Sequence, residues 1–157
     1  MADECIVHIE LDRKTLVSRS AEVEHERAVA IYDLLEDNHF APVGDYTGPY
    51  HVSLSLQDAN RLIFDVRDRA ENSQGEISIS LTPFRRIIRD YYQICESYFD
   101  AIKRLTPSQI ETIDMARRGV HNEGSEILKE RLSGRVTIDF VTARRLFTLL
   151  CVLHFKG

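Results

Sequence analysis

The stretch Glu76-Ile77-Ser78-Ile79-Ser80-Leu81-Thr82-Pro83-Phe84-Arg85-Arg86-Ile87-Ile88-Arg89-Asp90-Tyr91 changes its period in the middle, and that change decides the fold class. Up to Leu81 the apolar residues alternate, as in a strand with one buried face. From Phe84 they recur as Ile87, Ile88, Tyr91, Cys95, Tyr98 and Ile102, which is helical spacing and predicts a helix to about Leu105. Thr82 is the expected N-cap, with Pro83 at the first helical position.

Upstream of this junction, Tyr50 to Leu56, Arg61 to Arg67 and Ile6 to Leu11 read as further strands. The turn-rich Asp58-Ala59-Asn60 and a polar loop from Asp68 to Gly75 join the last three strands into an antiparallel meander. Between the first two strands, Val23, the Arg27 stem, Ala30, Ile31, Leu34 and Leu35 form one stripe. That stripe predicts a helix from about Ala21 to Asn38, capped by Ser20.

Downstream, Thr106-Pro107-Ser108-Gln109 is a capping box that opens a helix expected to end near Gly119. Asn122 is then expected to cap a second helix that stops at Ser133-Gly134. Arg135 to Ile138 suits a short strand, and Asp139 suits the cap of a last helix to about His154. From Leu146 to Phe155 only Thr148 and His154 are polar, so this helix is apolar nearly all round. It belongs either in the centre of the core or against a second subunit; a homodimer through this C-terminal helix is expected, with burial inside the monomer as the alternative. Strands followed by helices give an α+β fold: an antiparallel sheet of about four strands from the N-terminal half packed against helices, and a mainly helical C-terminal half.

The 157 residues, 43% hydrophobic and 29% charged, fit a single domain spanning 1–157. A domain of this size buries about 70% of its unfolded surface, so its core needs neither disulfides nor metal. No apolar run reaches the roughly 20 residues of a membrane span, and Met1-Ala2-Asp3-Glu4 is acidic where a signal peptide is basic. The expected compartment is the cytoplasm, with no membrane partner. Cys5, Cys95 and Cys151 are odd in number and scattered, and are expected to be buried thiols.

The net charge of −5 disfavours nucleic acid as a partner. Residues 1–82 carry 7 basic and 16 acidic side chains, whereas residues 83–157 carry 13 basic and 9 acidic ones. Of the 20 basic residues 16 are arginine, whose planar fork suits carboxylate or phosphate, although genome base composition produces the same bias without a ligand.

The chain contains no H-E-x-x-H, G-x-S-x-G, G-x-G-x-x-G or RNP-type motif, and no cofactor signature. The segment from Gly119 to Ser125 has two glycines at P-loop spacing but lacks the lysine, includes Glu123 and follows a helix, so it is not a P-loop. It still forms the candidate anion- or partner-binding site. Arg117 and Arg118 end one expected helix, His121 sits in the turn, and Asn122 and Ser125 open the next, with exposed amides able to hold an anion. Against this, arginines in a last turn complement the helix dipole, and Glu123 and Glu126 repel anions. Glu22, Glu24, His25 and Glu26 read as a solvated acidic first turn rather than a cation site. His154 is expected to be hydrogen-bonded in the core, and His8, His39 and His51 show no metal spacing, so no metal site is expected.

Four stretches carry a resemblance that covers nearly the whole chain. They are Glu24-His25-Glu26-Arg27-Ala28-Val29-Ala30, Ile94-Cys95-Glu96-Ser97-Tyr98, Arg117-Arg118-Gly119 with His121-Asn122-Glu123-Gly124-Ser125-Glu126, and Thr142-Ala143-Arg144-Arg145-Leu146-Phe147-Thr148. On these the chain resembles uncharacterised protein family 0262, a set of small bacterial proteins. The resemblance implies a bacterial cytoplasmic protein and brings no catalytic residues with it. One departure is Val141, where the family commonly has an acidic residue in the first turn of the last helix.

The expected function is non-catalytic binding or regulation through a protein or a small anionic partner. The alternative is a small enzyme acting on a phosphorylated or carboxylated metabolite, with Arg117 and Arg118 holding the anion and His121 as general acid or base. A cleft beside both guanidiniums favours the enzyme, whereas a flat or buried setting for His121 removes it. Structured-RNA binding, a third reading, needs one continuous basic stripe.

Overall fold

Alternation puts Tyr50, Val52 and Leu54 of β3 (Tyr50–Gln57), Leu62, Phe64 and Val66 of β4 (Arg61–Arg67), and Ile77 and Ile79 of β5 (Ser73–Ser80) on one buried face. The computed structural model describes residues 3–12 and 21–154, and joins these three strands as the expected antiparallel meander. The expected cap Ser20 lies outside the described residues. β5 begins at Ser73, so the polar loop closes earlier than expected, on an Asp68 carboxylate that accepts from the Ala70 and Asn72 amides.

β1 (Ile6–Leu11) adds to β3 in parallel, so the four-stranded sheet is mixed, in the order β1-β3-β4-β5. Parallel pairing needs a long crossover, and α1 (Ala21–Glu36) with β2 (Phe40–Pro42) lies between the two strands. A bulge between Ile6 and His8 resets the register, so that Ile6, Ile9 and Leu11 all face the core. There the Asn38 side chain accepts from the Ile6 N–H at 2.7 Å and donates to its carbonyl at 2.9 Å. Asn38 therefore lies beyond the end of α1, stitching it to the sheet edge, rather than inside the helix as expected. Leu35, expected in the apolar stripe, is exposed. β2 pairs with β6 (Val136–Ile138) in a separate two-stranded antiparallel sheet.

At the junction the long helix does not start at Pro83. Thr82–Phe84 form a 3-10 turn flanked by Leu81, with no side-chain cap, and α2 (Arg85–Arg104) follows. The tighter turn lets Leu81 and Phe84 both enter the core, where each is almost fully buried. Further along α2, Ala101 is buried and Ile102 exposed, reversing the expected stripe where α2 runs against α3 (Pro107–Leu132).

The capping box forms as expected: Gln109 N–H donates to Thr106 Oγ1, and Thr106 N–H donates to Gln109 Oε1 at 3.1 Å. The helix it opens does not end near Gly119, and Asn122 caps nothing, because α3 runs unbroken for 26 residues. Gly124 reads as loop punctuation yet is a packing residue: a Cβ there would stand 2.2 Å from Cζ of Phe147. Gly134, at φ +88°, ends the segment as expected.

Asp139 caps α4 (Phe140–His154), its carboxylate accepting from Thr142 N–H at 2.8 Å. Leu146, Phe147 and Leu149 to Leu153 are all buried within one chain, where α4 packs against α1, α3 and β3. The apolar surplus that suggested a second subunit is covered from inside. Cys95 and Cys151 are buried; Cys5, just ahead of β1, is only partly so, contrary to expectation. His154 is likewise partly exposed. No helix among the described residues is long and apolar enough to cross a membrane.

Candidate functional site

α1, α3 and α4 converge with Tyr91 of α2 on a cleft of about 280 Å³. Its wall takes His25, Glu26 and Asp33 from α1, Arg117, Arg118 and His121 from α3, and Arg144, Arg145 and Thr148 from α4. Three of the four stretches quoted above for their resemblance contribute side chains here; the stretch around Cys95 lines an adjoining cavity.

Arg117, Arg118 and His121 are thus brought together as expected, but Asn122 and Ser125 do not line the cleft. Ser125 is fully buried behind His121, and Asn122 turns a buried Oδ1 into the protein with no partner among the described residues. The expected cradle of helix-start amides does not exist, because Glu123, Gly124 and Ser125 sit mid-helix, where α3 uses those amides for its own ladder.

Asp114 takes up both α3 arginines. Arg117 donates to it at 2.7 Å and 3.2 Å and also lies over the Tyr98 ring, 4.5 Å from the centroid, while Arg118 pairs with it at 3.2 Å. Arg145 approaches Asp33 at 3.8 Å. Arg144 pairs with no carboxylate among the described residues, and its Nε, like that of Arg145, is buried without a hydrogen-bond partner. The uncommitted positive charge of the cleft is therefore on α4.

His121 is nearly buried, between the rings of Tyr91 and Phe147, with centroids 5.3 Å and 5.2 Å away. The Thr148 hydroxyl lies 2.7 Å from His121 Nε2 and 3.2 Å from the Arg144 carbonyl, so it ties the imidazole to the backbone of α4. Ser125 Oγ lies 3.5 Å from Nδ1 but spends its proton on the His121 carbonyl at 2.7 Å. Burial, then the guanidiniums of Arg144, Arg117 and Arg145, lower the imidazole from 6.5 to about 4. At neutral pH the ring is uncharged and has no spare proton to donate as a general acid.

Beyond Thr148 lies a second, apolar cavity of about 230 Å³, lined by Val23, Cys95, Phe99, Cys151 and Val152. Glu26, Tyr91 and Thr148 line both spaces. The Tyr91 hydroxyl donates to Glu26 Oε1 at 2.9 Å, and the Tyr92 hydroxyl donates to the Cys151 carbonyl. Burial pushes the Cys95 thiol up to about 11, with the Glu26 charge adding to it, and raises Cys151 well above its ordinary value. Neither is a nucleophile at neutral pH. Within the acidic turn of α1, Glu24 pairs with Arg27 at 3.0 Å. Among the described residues no three His, Cys, Asp or Glu side chains gather as a metal site.

Sequence reasoning missed the parts played by Glu26, Tyr91, Arg144, Arg145 and Thr148. A usable signal was present on α4, where two adjacent arginines and Thr148 interrupt a mostly apolar helix, with Arg144 and Thr148 one turn apart.

The family model described as uncharacterised protein family UPF0262 matches residues 3–156. Similar relatives include a UPF0262 protein of Paramagnetospirillum magneticum, 60% identical over 97% of this chain and 96% of its own length. Others are UPF0262 proteins of Rhodospirillum rubrum, 59% identical over 97% of this chain and 93% of its own, and of Ruegeria pomeroyi, 59% identical over 97% of each. No solved structure matches the chain.

Proposed function

The chain belongs to the uncharacterised protein family UPF0262, and from that premise we propose that it is a non-catalytic, cytoplasmic binding protein whose four-helix cleft holds a small ligand bearing a carboxylate or phosphate. The observation that carries this reading is Arg144, a guanidinium in a concave site with a buried Nε and no partner among the described residues. Its guanidinium charge is not taken up by any described carboxylate, so it is available to an anion that enters the cleft. Arg145, with a second unsatisfied Nε, and Arg118 at the rim reinforce the attraction. Concavity favours a small ligand over a flat protein partner.

An enzyme using His121 as acid or base draws on the same cleft, but it needs a group that titrates near neutrality, and burial and the surrounding guanidiniums hold this ring far from it. Binding is therefore the reading the geometry supports better. Phosphate and acetate are expected to raise the melting temperature more than chloride at equal ionic strength. Replacing Arg144 and Arg145 by glutamine is expected to abolish the difference, which controls for general salt effects. An unchanged anion effect in that double variant overturns the assignment.

A further inference from the structure

We infer that the cleft and the apolar cavity together hold one zwitterionic ligand, an α-amino acid with an apolar side chain, its carboxylate on Arg144, its ammonium on Glu26 and its side chain in the cavity. This rests on the anion-binding reading and names the ligand class for the same site.

The first observation is a pair of opposite charges that do not meet. Arg144 on α4 and Glu26 on α1 line the same cleft, yet they form no ion pair with each other, and neither forms one with any other described residue. Glu26 takes only the Tyr91 hydroxyl, on one of its two oxygens. Two opposite charges facing one concave space from separate helices attract a molecule that carries both signs.

The second observation is adjacency. The polar cleft and the apolar cavity lie on either side of Glu26, Tyr91 and Thr148, which line both, so a charged group held at Glu26 sits next to an apolar space. That space holds about 230 Å³, larger than the roughly 150 Å³ apolar cavity that accommodates benzene in another protein. Inside it the Tyr92 hydroxyl is bonded to the Cys151 carbonyl and the thiols are protonated, while the carboxylates of Glu26 and the exposed Glu96 also stand in its wall.

Simpler ligands each leave a mismatch. A long-chain carboxylate must pass its tail beside the Glu26 charge without neutralising it. Inorganic phosphate leaves the cavity empty, and a hydrophobic amine leaves Arg144 without a partner. An apolar amino acid answers all three features at once.

The test uses isothermal titration of the full chain with L-phenylalanine, 3-phenylpropionate, which lacks the amine, and 2-phenylethylamine, which lacks the carboxylate. The corresponding L-leucine set covers a branched side chain. At least one amino acid is expected to bind, with both of its truncated analogues weaker by about tenfold or more, because a site built around a polar group rejects the analogue lacking it. Glu26→Gln keeps an acceptor for Tyr91 and is expected to erase the preference for the amino acid over its des-amino analogue. Arg144→Gln is expected to erase the preference over the amine. A des-amino acid binding as tightly as its amino acid, or a preference unmoved by Glu26→Gln, overturns the zwitterion while leaving carboxylate binding intact. Failure of every probe overturns it as well, and the phosphate and acetate melts then decide separately on anion binding. Should Glu26→Gln fail to fold, the ranking of probes on the natural chain decides by itself.

Discussion

Acidification should destabilise this protein through one imidazole. Folding holds His121 at about 4, against 6.5 for an exposed histidine, so between those values the unfolded chain carries a proton that the folded chain does not. Stability rises with pH wherever the unfolded state binds more protons, so this contribution is fully present above about 6.5 and is lost as the pH falls towards 4. The full shift corresponds to about 3 kcal/mol, of which about 2.5 kcal/mol is gone by about pH 4.5. Carboxylates titrate in the same range, so the natural chain must be compared with His121→Gln, which lacks this imidazole and keeps the other groups. Urea unfolding followed by circular dichroism at pH 7 and about pH 4.5 should show the natural chain losing about 2.5 kcal/mol more than the variant. Equal losses in the two proteins, or an imidazole that titrates above pH 6 by NMR, would refute the burial argument.

Other outcomes follow from packing and capping. Gly124→Ala drives a methyl into the Phe147 ring and should lower stability by about 2 kcal/mol or more, whereas Gly119→Ala, with no atom within 4 Å of the new Cβ, should raise it by about 0.5–1 kcal/mol. Urea titration of both variants checks that the two helical glycines act in opposite directions. Asp139→Ala removes the cap on Thr142 N–H and should cost about 1 kcal/mol, read in the same assay. A strong chelator should leave the melting temperature unchanged, and a drop of many degrees would reveal a metal that the core depends on.

The elements legible in the sequence were those whose period repeats several times before interruption. β3 and β4 each bury three residues at alternate positions and β5 buries Ile77 and Ile79, and the start of α3 declares itself through a capping box that needs only local contacts. α3 was misread in its middle because glycine carries two meanings that sequence cannot separate. At Gly134 it supplies a positive φ, whereas at Gly124 it makes room for a ring that lies 23 positions later. β2 was invisible because three residues ending in proline offer no period, and its partner β6 lies almost a hundred residues away. The site was half legible for the same reason. Arg117, Arg118 and His121 stand out as one local cluster, but what Glu26 faces depends on how α1 lies over α2 and α4. The charge of Arg144 matters only because Asp114 and Asp33 are already engaged by the other arginines.

The buried groups of the cleft and its adjoining cavity keep one protonation state near neutral pH. Arginines stay charged throughout, and the His121 ring stays neutral because ionising it would place a buried cation among three guanidiniums. The Cys95 and Cys151 thiols stay protonated for want of water around them, and burial raises the Tyr91 hydroxyl as well. General acid–base work requires a group poised near the operating pH, and a thiol nucleophile requires a lowered pKa rather than a raised one. What these residues offer instead is a fixed pattern: positive charge on α4, a carboxylate on α1, and an apolar space between α1, α2 and α4. His121 contributes by staying neutral, holding Thr148 in place at the seam between the polar and apolar halves without adding a charge of its own. A fixed pattern of this kind discriminates among ligands by shape and charge.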